Sequence, residues 1–222
     1  MNHLFGFLSV FNSEALRNVK IFKGGIPARY GGRLSSVLDI AMKEGNNQTP
    51  LGSVSISPIA GSVTLEGPMK TDTSSYIFSA RRTFLNYPVR LGLLLTQPVQ
   101  AGYNFFDVTG KTNWILNPKN RIYMSTYLGQ DRYFIKNKDD GGKSNYAYKW
   151  GNATTVLRWN SIISNKLFAN YTAYFSSFSN KQNSKIKGDN FYTYKIGSNL
   201  KDFAVNADFD FYPNVNNSIK FG

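Results

Sequence analysis

The residues able to do chemistry in this 222-residue chain are few and scattered. His3 is the single histidine and stands with no cluster of partners. Cysteine is absent, which removes thiol catalysis, disulfides and cysteine zinc sites. Asp208 and Asp210 share a strand face, as paired carboxylates would. No second constellation accompanies them, so they read as polar wall residues and not as acid and base. Asp139-Asp140-Gly141-Gly142 lacks the alternating oxygen ligands of a calcium loop and reads as a turn. Lys23-Gly24-Gly25 lacks the spacing and the following Ser or Thr of a phosphate loop. The expectation is therefore no enzyme, no cofactor and no metal. What remains is a set of arginines, Arg29, Arg33, Arg81 and Arg82. Inside a closed lumen each needs a carboxylate. Glu66, in Glu66-Gly67-Pro68, is one candidate partner; its other reading is the solvated end of a strand.

The elements that position these cations begin with residues 19–40. Gly24, Gly25, Gly31 and Gly32, with Gly45 just beyond, interrupt two short apolar runs. Glycine pairs serve where a backbone takes positive φ or approaches another backbone closely. Two such pairs, each beside Lys23, Arg29 or Arg33, describe a tightly turned knot. Before it, Ser13-Glu14-Ala15-Leu16-Arg17 reads as one helical turn with Ser13 as cap candidate, and Val19, Ile21 and Phe22 as a short strand. After it, residues 36–42 alternate loosely. A segment of about 45 residues this rich in glycine cannot bury a core alone and needs other walls around it.

From Leu51 the texture changes. Aromatics make up 15 % of the chain and charged residues only 18 %, below the roughly 25 % of a soluble domain. No window approaches the roughly 18 apolar residues of a membrane helix. If the chain meets a membrane it does so as a β-barrel, the other structure that pairs every backbone group internally. Strands are expected at 51–57, 62–69, 75–85, 103–116, 121–134, 146–163 and 167–178, with an eighth inside 191–211. Tight turns fall near Asp72, Pro118, Asn165 and Asn214. Longer polar loops are expected at 86–102, 136–145 and 180–190. Alternating turn length is the pattern of a transmembrane barrel. Leu167, Ala169, Tyr171, Ala173 and Phe175 oppose Asn170, Thr172, Tyr174 and Ser176. Phe203, Val205, Ala207, Phe209 and Phe211 oppose Asn206, Asp208 and Asp210. This two-residue period is what a lipid-lumen boundary demands. Tyr103, Phe105, Phe106, Tyr133, Phe134, Tyr146, Tyr148 and Trp150 are read as an interfacial aromatic girdle. The net charge of +13 is placed in solvated loops, with Lys136, Lys138, Lys143, Lys181, Lys185 and Lys187 among them, and not in a nucleic-acid site.

The run Lys23-Gly24-Gly25-Ile26-Pro27-Ala28-Arg29-Tyr30-Gly31-Gly32-Arg33-Leu34-Ser35-Ser36-Val37-Leu38-Asp39-Ile40 resembles the last part of the plug domain of TonB-dependent outer-membrane receptors, in their Bacteroidetes form. His3 to Asn12 is similar to the preceding plug block. Leu65-Glu66-Gly67-Pro68 and Ser79-Ala80-Arg81-Arg82-Thr83 are similar to blocks of the early barrel. The resemblance implies a mainly β fold. Residues 1–45 would be the C-terminal part of a plug, and residues 46–222 the first antiparallel strands of a barrel of about 22 strands when complete. It implies a bacterial outer-membrane protein in energy-coupled uptake of a scarce ligand. The partners implied are a TonB-ExbB-ExbD complex acting through an N-terminal part not in this sequence, outer-membrane lipid and a transported ligand. It also implies that plug arginines such as Arg29 and Arg33 lock onto acidic wall residues, with Glu66 as one candidate; Arg81 is a further cation expected in such plug-barrel ion pairs. Met1 is followed by no secretory signal, so the chain is expected to be a fragment of such a receptor. Which ligand is carried stays open between iron-siderophore, cobalamin, glycan and peptide. Two other readings stand beside this one. A complete small porin-like barrel would have strand eight pairing strand one. A soluble β-rich carbohydrate-binding or adhesin module would be a compact aqueous monomer.

Overall fold

The computed structural model describes residues 2–3, 8–9, 12–27, 30, 36–84, 100–139, 142–187 and 191–222. Arg29, Gly31, Gly32 and Arg33 lie outside the described residues, as does most of the loop expected at 86–102. The described chain is nearly all antiparallel strand. A nine-stranded sheet runs as a simple meander, β5 (Leu51–Ile56), β6 (Ala60–Lys70), β7 (Ser74–Thr83), β8 (Gln100–Asn117), β9 (Asn120–Asp139), β10 (Gly142–Ser164), β11 (Leu167–Lys187), β12 (Phe191–Asn214) and β13 (Asn217–Phe221). Two small hairpins precede it: β1 (Asn2–His3) with β2 (Leu8–Ser9), and β3 (Leu16–Phe22) with β4 (Val37–Met42). Within the nine-stranded sheet each strand pairs antiparallel with its sequence neighbour, and most of the connections are too short for a crossover.

The sheet is open, with β5 and β13 at its edges. The long eighth strand of the sheet, β12, pairs with β11 and β13 and does not return to β5. Among the described residues the closed eight-strand arrangement is therefore not formed.

Strand length is the main difference from expectation. The lysine-rich stretches expected as loops at 136–145 and 180–190 are largely paired. β9 continues to Asp139, β10 starts at Gly142 and β11 continues to Lys187. Tyr146 pairs with Ser184, Asn145 with Lys185 and Lys143 with Lys187. A ladder of backbone hydrogen bonds needs no apolar side chain. Where both faces turn polar the period-two signal vanishes although the ladder persists. β10 has 23 residues, about 75 Å of strand at about 3.3 Å per residue. That exceeds the about 9 to 11 residues of a tilted bilayer crossing twofold.

Register assigns every wall residue to one of two faces. Ser79, Thr109, Tyr127, Thr154, Ser176 and Asp202 form one cross-strand row. Val63, Ala80, Val108, Leu128 and Ala153 form a row on the opposite face. The first face is polar and carries the N-terminal segment, and is the inner face of the sheet. The outer face exposes large apolar side chains, among them Val54, Leu65, Phe78, Leu128, Leu157, Phe175, Phe203 and Val205. Two of those strands, β11 and β12, show the alternation read from sequence. Ala169 stands opposite Phe209, Ala173 opposite Val205 and Phe175 opposite Phe203.

The aromatics divide differently from expectation. Tyr103, Phe105, Tyr133, Tyr146, Tyr148 and Trp150 register on the inner face, and only Phe106 and Phe134 on the outer. An outer aromatic row lies instead at the tight-turn end. The Trp159 and Tyr171 rings are 5.1 Å apart, Tyr171 and Phe209 6.0 Å, and Phe209 and Phe221 5.1 Å. Trp159 Nε1 donates to Asn120 Oδ1 at 3.0 Å, which gives the indole an apolar body and a wet end. Composition places aromatics near strand ends, but only register tells which side they face.

Candidate functional site

The candidate site is the seam between the N-terminal segment and the inner face of β5–β9. Its wall side follows from small polar residues at every second position. Ser75, Ser79 and Thr83 on β7 point inward with Ile77 and Arg81, and Thr64 and Asn113 flank them on β6 and β8. Ser75 and Ser79 are each 1 % exposed. Short hydroxyl side chains let another backbone come close and still satisfy it with hydrogen bonds.

The N-terminal segment uses those donors. Ser75 Oγ donates to the Glu44 carbonyl at 2.8 Å, and Asn113 Nδ2 donates to the same carbonyl at 2.7 Å. Lys111 Nζ donates to the Met42 carbonyl at 3.2 Å while lying over the Tyr123 ring. Asn12 Nδ2 donates to Ser79 Oγ at 2.6 Å, and Ser53 hydrogen-bonds Glu14. Asn12, and not Ser13, caps the short turn Ser13–Ala15, accepting from the Glu14 N–H at 3.2 Å. Asn12 lies one residue earlier than the expected cap because a side-chain oxygen reaches the N–H two residues on.

Gly45 is the glycine that this seam needs. Its φ is +83°, and a Cβ there would overlap the Tyr76 carbonyl oxygen. Gly25 also takes a left-handed φ, +60°, with open space around it. Gly24, paired with it in the sequence, has neither feature. Tyr30 ties the knot back to β4: its hydroxyl donates to Asp39 Oδ2 at 3.0 Å, and its ring lies 5.6 Å from that of Phe22.

Higher on the inner face, Arg81 pairs with Asp107 of the neighbouring strand. Both Nε and one Nη contact Asp107 Oδ2 at 2.8 Å. Phe105 lies beneath the guanidinium at 5.1 Å. Asp107 is 1 % and Asp131 4 % exposed, and Tyr103 hydrogen-bonds Asp131. Tyr103, Phe105, Tyr148 and Trp150 pack around these groups. Glu66 makes no ion pair among the described residues. Asp208 and Asp210 both register on the inner face, with Asp210 3.3 Å from Lys220. His3 lies in the short β1 strand.

A cleft of about 670 Å³ separates β4 from β8–β10, with Leu38, Ile40, Lys111, Tyr127, Asn152 and Arg158 in its lining. The arrangement as a whole holds a short hairpin against a polar wall through backbone carbonyls and leaves space beside it. The sequence reading missed Ser75, Ser79, Lys111 and Asn113. For Ser75 and Ser79 the signal was present in the Ser-x-Ile-x-Ser-x-Arg-x-Thr alternation of β7, where small polar residues, and not large apolar ones, mark the face that receives another segment.

No protein-family model matches the chain, and no curated protein matches it. Two solved structures are similar to it. One is the siderophore receptor PirA from Acinetobacter baumannii, at 13 % identity and a TM-score of 0.40, over 93 % of this chain and 47 % of that one. The other is a mutant of the ferric enterobactin receptor PfeA from Pseudomonas aeruginosa, at 10 % identity and a TM-score of 0.40, over 95 % of this chain and 48 % of that one. The chain spans about half the length of these two structures.

Proposed function

We propose that this chain is the plug end and early wall of a TonB-dependent outer-membrane receptor that takes up a scarce ligand. The observation that carries the reading is the division of one sheet into two unlike faces, with the N-terminal segment seated on the polar one. A sheet whose outer face exposes Val54, Phe78, Leu128, Phe175 and Phe203 fits hydrocarbon better than water. A polar face tied to a glycine-bearing segment by Ser75, Asn113 and Lys111 fits a lumen closed by a plug. The resemblance of residues 23–40 to the plug's end supports the same assignment. TonB with ExbB and ExbD would supply the force, and the bacterial outer membrane would be the location.

In this reading the knot arginines Arg29 and Arg33 meet wall carboxylates. Asp107, buried beside Arg81, and Asp131, buried beside Tyr103, suit that role better than the less buried Glu66, because burial strengthens a charge pair. The hydrogen bonds at Glu44 and Met42 are contacts that such a plug segment would break on leaving the wall.

The test is membrane fractionation of cells producing the chain behind an added secretion signal. Recovery in the outer-membrane fraction after alkaline carbonate washing is the expected result. Recovery as a compact monomer in aqueous buffer, with no detergent, would favour the soluble-module reading and overturn this one.

A further inference from the structure

The described carboxylates of the wall share one face, whereas its cations stand on both, Arg81, Lys111, Arg121 and Arg158 among them facing inward. The carboxylates of β6–β12 whose side chains are described, Glu66, Asp107, Asp131, Asp202, Asp208 and Asp210, all register on the inner face. Arg82, Arg132, Lys136, Lys149, Lys181, Lys185 and Lys195 all register on the outer face. These seven cations lie at the loop end, above the apolar band, while Lys201 stands lower on the same face, level with Ala153 and Leu128. They do not sit in loops, where the sequence reading placed the lysines.

Their spacing is the unusual part. Lys149 stands directly opposite Arg132 on one side and Lys181 on the other. Like charges directly opposed across strands destabilise a sheet. None of Arg82, Arg132, Lys149 and Lys181 forms an ion pair among the described residues. They line one groove of about 450 Å³ together with Asn104, Phe106 and Gln130, and no carboxylate lines it. The Arg82-Phe106-Gln130 row is its lower edge. The next row down, Ala80-Val108-Leu128-Ala153, already belongs to the apolar band. Arg132 and Lys136 both lie over the outer Phe134 ring, at 5.7 and 5.8 Å.

We propose that this groove binds the phosphate of an anionic membrane lipid in the leaflet at the loop end of the barrel. The inference rests on the bilayer placement argued above and adds the lipid class to it. Four cations converge where a headgroup would sit, one residue row above hydrocarbon-facing side chains. Guanidinium and ammonium groups are strong partners for phosphate, and their long stems let them reach the headgroup from a wall strand. A bound phosphate also removes the repulsion along Arg132-Lys149-Lys181. A soluble anion would find the same cations but would gain nothing from the adjacent apolar band.

The experiment places the full chain in phosphatidylcholine nanodiscs containing a minor fraction of a bisphosphorylated glucosamine lipid, captures the chain, and measures the lipid retained. Several-fold enrichment of the phosphorylated lipid over its bulk fraction is expected. It should fall towards the bulk value between about 0.1 and 1 M salt, where the screening length drops from about 10 to 3 Å. The Lys149→Gln/Lys181→Gln variant should lose the enrichment and be at least as stable as the parent in pure phosphatidylcholine, since it sheds like-charge contacts. Insertion without enrichment, or equal enrichment of parent and variant, would overturn the lipid assignment and leave the bilayer placement standing. Binding of inorganic pyrophosphate as tight as that of the lipid would assign the groove to a soluble anion and also overturn it. Failure of the chain to enter either disc would overturn both.

Discussion

Arg81 directs Nε and Nη2 to a single oxygen of Asp107 across the β7–β8 pair, both at 2.8 Å. The side chain of Asp107 is 1 % exposed and that of Arg81 15 %. A desolvated pair of this kind costs much to break and little to replace as a unit. Asp107→Ala is expected to destabilise the chain by about 3–5 kcal/mol, the usual loss when one partner of a buried pair is removed. The double change Arg81→Met/Asp107→Leu should recover most of that loss. Urea midpoints in one detergent check both; a double variant no better than the single one would contradict the account of the pair.

Gly45→Ala tests the seam. The new Cβ meets the Tyr76 carbonyl at a φ of +83°, and a strained left-handed residue alone costs about 1–3 kcal/mol. Limited proteolysis should cut residues 12–45 faster in the variant while β8–β12 stay protected. Gly24→Ala, with nothing within 4 Å of its Cβ, should leave the cleavage rate unchanged.

The three tryptophans report on the two faces. Trp114 and Trp159 register outward and Trp150 inward. Brominated acyl chains should quench the fluorescence of the inserted chain strongly. Replacing Trp114 and Trp159 together by Phe should remove most of that quenching, and Trp150→Phe should remove little. The reverse ranking would exchange the two faces.

Arg33→Ala bears on the plug reading. Cells carrying this change in a receptor that contains the chain should assemble the wall normally and lose uptake of its ligand. Uptake equal to that of the parent would separate Arg33 from any locking role.

Much of the wall was legible because β11 and β12 alternate cleanly. Phe203, Val205, Ala207 and Phe209 against Asn206 and Asp208 fix both the strand and its faces. The glycine-rich segment was legible in kind, yet of the glycines described there and just beyond only Gly25 and Gly45 take the left-handed backbone that favours glycine. Three things were not legible. The paired upper hairpins carry polar side chains on both faces, so nothing in hydropathy marks Lys181 or Lys185 as strand. The side on which Tyr103 or Trp150 lies depends on register with β9, a long-range fact that one strand's sequence does not hold. The receiving surface for the N-terminal hairpin is built from Ser75, Ser79 and Asn113, residue types common in loops, whose role depends on partners more than 30 positions away.

The central claim is that one face of this sheet lies in hydrocarbon and the other lines a polar interior. The absence of native cysteine makes a spin-label scan of β12 direct. Single changes from Phe203→Cys through Phe209→Cys would be labelled one at a time in the bilayer-inserted chain. Collision rates would then be measured with oxygen, which favours lipid, and with a water-soluble nickel chelate. The account predicts a two-residue period: oxygen maxima at 203, 205, 207 and 209, and nickel maxima at 204, 206 and 208. Uniform access to the nickel chelate along the whole stretch would contradict it.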